Sequence, residues 1–345
     1  MLSRRHLLLS LPGLAVVRRI VAQTAAPIRA RALNHMTLAV ADPKRTIDFY
    51  QGLFGMPVQA RQGPTTCLAI GSGPQFLAVS QTAANVPPAI NHYCLSVDGF
   101  NADRIVKVLT DHGLAKSDVN GPMKVRVRMR GPEAGGAKEG TPELYFGDPD
   151  GIVCQLQDVK YCGGAGVLGE VCGAPEPSPK KGLLAVRDLS HFTIFSTDAP
   201  RTNKFYQDLF GFSIRSYQGP TAPTLAVGPT VQFLMFAGGG APPARGGAQA
   251  APPRPASINH VCLNMDGFDV DKILKSLESY GITPRGSATG PVGPMKSYVT
   301  MRMENRGGAP EGTPELYFTD PDGILIQLQD TKYCGGGGYL GDVCR

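Results

Sequence analysis

Four of the six histidines stand at one recurring place, near the start of a β-rich run, as Asn34-His35, Asn91-His92, Ser190-His191 and Asn259-His260. A neutral imidazole offers a lone pair that suits a divalent transition metal. A strand histidine can equally touch substrate or be a satisfied structural residue. Recurrence at the same point of four segments is hard to assign to packing alone. Other chemistry-bearing residues also come in pairs. Glu143 with Tyr145, and Glu315 with Tyr317, fall on one strand face by alternation. Lys124 and Arg130 are repeated as Lys296 and Arg302, cations that either hold an anionic substrate or solvate a strand edge. Cys162 and Cys172 bracket a glycine-rich loop, as do Cys334 and Cys344. Each pair is close enough for a local disulfide, whereas a thiolate metal site would need borrowed ligands. Cys67, Cys94, Cys154 and Cys262 lie in apolar runs and read as core thiols, with Cys94 and Cys262 two residues beyond a histidine.

The elements that must position these residues are legible as an internal duplication. Residues 121–172 align without a gap on 293–344, with 37 of 52 positions identical, far above chance. Upstream, Thr46–Gly55 matches Thr202–Gly211. Inside each copy a fainter repeat links Leu33–Val40 to Ile90–Val97 and Leu189–Ser196 to Ile258–Met265. Each such run leads into an amphipathic helix, such as Asp42 to Phe54 or Ala102 to His112. Asp42 is the expected N-cap, with Pro43 at the first helical position and Gly55 past the end. Alternating strands follow over Thr65–Ile70, Gln75–Ser80, Glu143–Phe146 and Ile152–Gln157, with Asp148-Pro149-Asp150-Gly151 as the turn before the last. The class is α+β, built as four βαβββ modules: 33–81 and 90–160 in copy one, 188–237 and 257–332 in copy two. The first domain spans 33–172 and the second 183–345. A Pro/Lys linker occupies 173–182, and a Pro/Ala/Gly insertion spans 238–255.

Net charge is +6, but six arginines and no acids fall in the first 31 residues. The remainder carries as many bases as acids, so the footprint of a nucleic-acid binder is missing. No apolar run approaches the roughly 20 residues of a membrane span. The leader, residues 1–26, places Arg4-Arg5 before the apolar run Leu7–Val17 and reads as a twin-arginine-like export signal cleaved between Ala22 and Pro27. A periplasmic or secreted location suits the cysteine pattern.

The order of a histidine-bearing strand, a Phe49-Tyr50-Gln51-Gly52-Leu53-Phe54-Gly55 helix and the Leu144-Tyr145-Phe146-Gly147-Asp148-Pro149-Asp150-Gly151 strand and turn resembles the vicinal-oxygen-chelate superfamily. That group holds glyoxalases, bleomycin-resistance proteins and extradiol dioxygenases. The resemblance covers residues 33–160 and 188–332 and implies paired modules forming two curved mixed sheets. It also implies a divalent metal (iron, manganese, nickel or zinc) held by His35, His92 and Gln155 in copy one and by His191, His260 and Gln327 in copy two. The superfamily places an acid where Gln155 and Gln327 stand; an amide oxygen can ligate but brings no charge. Tyr145 and Tyr317 would donate hydrogen bonds to substrate, and Glu143 and Glu315 would act as bases. Two functions follow: a metal-dependent enzyme acting on a small oxygen-bearing substrate, dioxygenase-like or lyase/isomerase-like, or a non-catalytic small-molecule binder. The expected assembly is a monomer with two pseudo-equivalent domains or a homodimer.

Overall fold

In the computed structural model, residues 26–238 and 255–344 are described. Residues 1–25, on which the expected export signal falls, and nearly all of the 238–255 insertion lie outside them. The chain forms two nine-stranded mixed sheets, one from each copy.

In copy one, β1 (Ala30–Val40) is followed by α1 (Pro43–Phe54), β2 (Val58–Gln62), β3 (Thr65–Ala69) and β4 (Phe76–Gln81). Then come β5 (Ala89–Val97), α2 (Ala102–Asp111), β6 (Ala115–Lys116), β7 (Lys124–Arg130), β8 (Thr141–Gly147) and β9 (Val153–Asp158). The strand order is β2-β3-β4-β1-β5-β9-β8-β7-β6. Within each module the first strand pairs parallel with the last, and the antiparallel pair β1·β5 joins the modules. The second module thus carries one strand beyond βαβββ. That strand, β6, has two residues, too short to leave a periodic pattern.

Copy two repeats the plan. Its first module holds β10 (Asp188–Ser196), α3 (Ala199–Phe210), β11 (Ile214–Tyr217), β12 (Pro223–Ala226) and β13 (Phe233–Gly238). Its second holds β14 (Ser257–Met265), α4 (Val270–Ser279), β15 (Thr283–Pro284), β16 (Lys296–Arg302), β17 (Thr313–Thr319) and β18 (Leu325–Asp330).

The helices form where capping chemistry starts and stops them. Asp42 accepts from Arg45 N and Asp198 from Arg201 N, each orienting a helix N-terminus; such a cap contributes about 1 kcal/mol. Gly55 and Gly211 end α1 and α3 at φ 68° and 67°, the left-handed region where a Cβ is costly.

The copies share one continuous hydrophobic core. Phe49 and Phe54 of α1 pack on Phe318 of copy two, while Tyr206 of α3 lies against Phe146 of copy one. Turn aspartates complete the exchange: Asp322 holds Arg45 and Thr46, and Asp150 holds Arg201 and Ser196. At the seam, Gln75 and Gln232 each bridge the backbones of Leu33 and Leu189 with donor and acceptor. Both cysteine loops are closed, as Cys162–Cys172 and Cys334–Cys344, and Cys67, Cys94, Cys154 and Cys262 are free and buried.

Candidate metal and ligand site

Strand register sets the site in copy one. Reading across the sheet, His35 lies opposite Cys94, Cys94 beside Gln155, Gln155 opposite Tyr145, and Tyr145 opposite Arg126. His92 pairs with Thr37 and Glu143 with Arg128 on the adjacent rung. Partners directly opposite share a face, so side chains from five strands meet on one surface.

The two imidazoles converge on one oxygen. Gln155 Oε1 lies 3.1 Å from His35 Nε2 and 3.0 Å from His92 Nε2. The His35 tautomer follows from its neighbour. Asn34 Nδ2 donates to Tyr161 O (3.0 Å) and Ser96 Oγ (3.2 Å), which leaves Asn34 Oδ1 facing His35 Nδ1 at 2.7 Å. That oxygen can only accept, so Nδ1 carries the proton and Nε2 presents a lone pair. His92 Nδ1 lies 2.8 Å from Asn91 Oδ1. Thr37 Oγ1 can donate to His92 Nε2 at 3.2 Å. Phe76 stacks on the His35 ring at 4.3 Å and fixes its plane.

Electrostatics keep this cluster neutral. Burial holds His35 well below its ordinary pKa, with nearby His92 acting the same way, and burial lowers His92 to about 4. Both imidazoles are therefore neutral at neutral pH, the state metal ligation requires. The donor set is two imidazole nitrogens and one amide oxygen. At separations of 3.0–3.1 Å the amide oxygen stands close enough to each imidazole nitrogen for the three to share one cation. Gln155 Nε2, buried and without a hydrogen-bond partner, shows that the amide is not held by another acceptor. These residues fit a cation. No group of three or more His, Cys, Asp or Glu is placed to hold a metal among the described residues, so the fit depends on the amide.

Beside the triad is a cavity of about 210 Å³, whose polar wall includes Asn91, Asn120, Arg126, Arg128 and the Tyr145 ring. Arg126 donates to Asn120 Oδ1 (2.7 Å), and its guanidinium lies 4.7 Å over that ring. No acidic side chain lines this cavity.

Glu143 lies behind that wall, fully buried. Arg128 and Tyr145 Oη donate to its Oε2, and Arg130 Nε (2.7 Å) and Tyr161 Oη (3.1 Å) to its Oε1. Burial alone would raise this carboxyl; Arg128 and Arg130 outweigh it and hold the pKa low. Glu143 is thus a saturated anion, poorly disposed to take a proton. Arg130 is 2% exposed and also donates to Ala134 O and Gly164 O, tying the disulfide loop to the sheet. Arg302 does the same through Glu315, Arg306 O and Gly336 O. Neither arginine is free for a ligand. Lys124 and Lys296 stand at the far end of β7 and β16, and Lys296 Nζ bonds Thr283 Oγ1. Tyr145, kept protonated by burial and by Glu143, gives its hydroxyl to Glu143 and only its ring to the cavity.

Copy two keeps the rung as His191, Cys262, Gln327, Tyr317 and Tyr298. Its imidazoles are also held low by burial, His260 to about 4. The neighbours differ. Ser190 Oγ faces His191 Nδ1 at 3.2 Å, and a hydroxyl donates or accepts, so it does not impose a tautomer. His260 Nε2 and Gln327 Nε2 are buried without hydrogen-bond partners. Tyr298 stacks on Tyr317 at 5.0 Å where copy one has Arg126, and Thr300 stands where copy one has Arg128.

The structure brings His35, His92 and Gln155 of the sequence reading together and closes both expected disulfides, while Arg126, Arg128 and the neighbouring Asn34 and Asn91 were missed. The arginines escaped because repetition served as the filter and copy two lacks them. The asparagines precede three of the four histidines, a signal present in the sequence and not used.

Comparison with known proteins places this geometry. Residues 32–156 and 188–328 match the model of the Glyoxalase/Bleomycin resistance protein/Dioxygenase superfamily. The chain is 24% identical to glutathione transferase FosA of Serratia marcescens over 161 residues, 46% of this chain and 97% of that protein. Its fold is similar to a Mn(II)-bound glyoxalase from Novosphingobium aromaticivorans, at 16% identity and TM-score 0.56, covering 87% of this chain and 82% of that one. It is also similar to the 2,3-dioxygenase LapB from Pseudomonas sp. KL28, at 14% identity and TM-score 0.57, covering 88% and 93%. Matched over both halves and folded as two paired-module sheets, the chain belongs to the glyoxalase/bleomycin resistance protein/dioxygenase superfamily.

Proposed function

We propose that copy one is a metal-dependent site acting on a small oxygen-bearing ligand, with His35, His92 and Gln155 as the protein ligands of a divalent cation. The observation that carries this reading is how these three side chains meet. His35 Nε2 and His92 Nε2 approach Gln155 Oε1 at 3.1 and 3.0 Å, and the Asn34 contacts leave His35 Nε2 bare toward that oxygen, an arrangement of two acceptors that repels unless a cation lies between them. Such a cation would supply Lewis acidity toward an oxygen-bearing ligand. The protein's part is to keep both imidazoles neutral, present the Tyr145 ring and wall the cavity with donors. In this reading Glu143 positions Arg128 and Tyr145 and takes no proton, and Glu315 is likewise a structural anchor. The Mn(II) of the similar glyoxalase belongs to that protein; manganese, iron, nickel and zinc all stand as candidates here.

One observation favours a second reading. Turned over, the Gln155 amide would aim its NH2 at both imidazoles and give its partnerless Nε2 two acceptors. That state needs no metal and describes a small-molecule binder. Elemental analysis of the protein purified without chelators separates the two. One or two equivalents of a transition metal per chain supports the metal site; none after refolding in excess metal supports the binder. The two disulfides fit an oxidising compartment. We further propose export through the Arg4-Arg5 leader. Changing both arginines to lysine should trap the precursor in the cytoplasm, and unaltered export would refute it.

A further inference from the structure

The two copies carry different charge at the mouth of the site. In copy one, β7 presents Arg126, Arg128 and Arg130 opposite Tyr145, Glu143 and Thr141 of β8, so one carboxylate, Glu143, stands among three guanidiniums. At the same register copy two has Tyr298, Thr300 and Arg302 opposite Tyr317, Glu315 and Thr313. Three guanidiniums around one anion leave two positive charges in surplus; in copy two Arg302 is matched by Glu315 and the surplus is the single Arg285. The surplus in copy one is available. Arg126 has only the neutral Asn120 as hydrogen-bond partner, and the Arg128 side chain is 51% exposed beyond its Glu143 contact. Both border the cavity that reaches His35, His92 and Gln155. In copy two the corresponding wall is the Tyr298–Tyr317 stack, with the Arg285 guanidinium 4.9 Å over Tyr298 and its NH2 tied to Gly290 O.

We infer that copy one selects a small oxyanion-bearing ligand, with Arg126 and Arg128 as its specificity-determining residues, and that copy two does not bind that class. This rests on the reading of copy one as the working site. The ligand presents a carboxylate or a comparable oxyanion to the guanidiniums while its body fills the cavity. At about 210 Å³, that cavity has room for roughly seven waters' volume, so the molecule is small. Guanidinium recognition of an oxyanion is charge-assisted and directional, and a neutral isostere loses it.

Calorimetric titration with benzoate and with uncharged benzamide, on metal-free and Mn(II)-loaded protein, tests this. Benzoate should bind at one equivalent per chain and benzamide roughly tenfold or more weakly. Arg126→Gln and Arg128→Gln should each weaken benzoate by about that factor and leave benzamide unchanged. The double change Tyr298→Arg with Thr300→Arg should install a second equivalent, an outcome that does not depend on how the loss variants fold. Equal affinity for the two probes, two equivalents in the unaltered chain, or insensitivity to Arg126→Gln would overturn the inference. Failure of benzoate while Mn(II) still titrates would sink the inference and spare the metal site. Benzoate binding that follows the arginines without any Mn(II) binding sustains it and overturns the metal reading.

Discussion

Copy one and copy two keep the same buried anchor and differ in the wall built on it. In both, a glutamate on the eighth strand of the sheet holds a buried arginine, which reaches the carbonyls of a disulfide-closed loop. Arg130 and Arg302 are nearly or fully buried, and their strands carry Lys124 and Lys296 at the same register. The positions between, Arg126 and Arg128 against Tyr298 and Thr300, are half-buried or exposed and have changed. A buried ion pair cannot lose one partner cheaply, whereas a cavity wall can exchange charge for an aromatic stack at little cost to folding. Duplication has thus yielded two differently walled copies of one scaffold: one with two surplus guanidiniums, Arg126 and Arg128, and a fixed His35 tautomer, the other with a single one, Arg285, and a serine that leaves His191 free.

The comparison is broken most severely at the anchor. Glu143→Gln should cost about 3–5 kcal/mol, because it strands the Arg130 guanidinium in the interior, and Glu315→Gln should cost a similar amount through Arg302. Denaturant midpoints would measure both, and only Glu143→Gln should also weaken benzoate, since Arg128 loses its support. A loss below about 1 kcal/mol in either variant would show that the anchor is not what holds the loop. Next come the loops. Replacing Cys162 with Cys172, or Cys334 with Cys344, by serine should cost about 2–3 kcal/mol each. The two losses should match, because both bridges span a sequence separation of 10. Unequal losses would mean that the loops are not equivalent.

A smaller effect separates the copies by pH. Burial pushes Asp148 up to about 7 and Asp320 up to about 6. Asp148 Oδ2 finds no donor, while Asp320 Oδ2 accepts from Tyr50 Oη at 3.3 Å. A carboxyl with a raised folded pKa binds its proton more tightly when folded. Its contribution to stability is complete below the ordinary carboxylate range and is lost as pH rises through the folded value. Asp148→Asn should therefore gain stability relative to the parent between pH 5 and pH 8, and Asp320→Asn should show the same trend at lower pH. Urea midpoints at several pH values would check this; a flat difference would contradict it.

Much of this was legible before any coordinates. Asp42, Pro43 and Gly55 bound α1 because caps are local chemistry, and the histidines fall on first strands because alternation and repetition are local patterns. What escaped is long-range. Alternation put Glu143 on the right face but could not reveal that Arg128, Arg130, Tyr145 and Tyr161 converge on it from different elements. Tyr50 reaching Asp320 across 270 residues leaves no trace in spacing. Repetition, which exposed the scaffold, also hid Arg126 and Arg128, because the residues that distinguish the copies are those that do not repeat.

The most direct test of the central claim is a Mn(II) titration of metal-free protein beside its His92→Ala and His260→Ala variants, read by calorimetry. The account predicts that His92→Ala removes the tighter binding event, since it breaks the site whose His35 tautomer is fixed, and that His260→Ala leaves that event intact. A titration in which the unaltered chain takes up no Mn(II), or in which His92→Ala binds as the parent does, would contradict it. The Gln155 amide would then stand turned over, donating to both imidazoles.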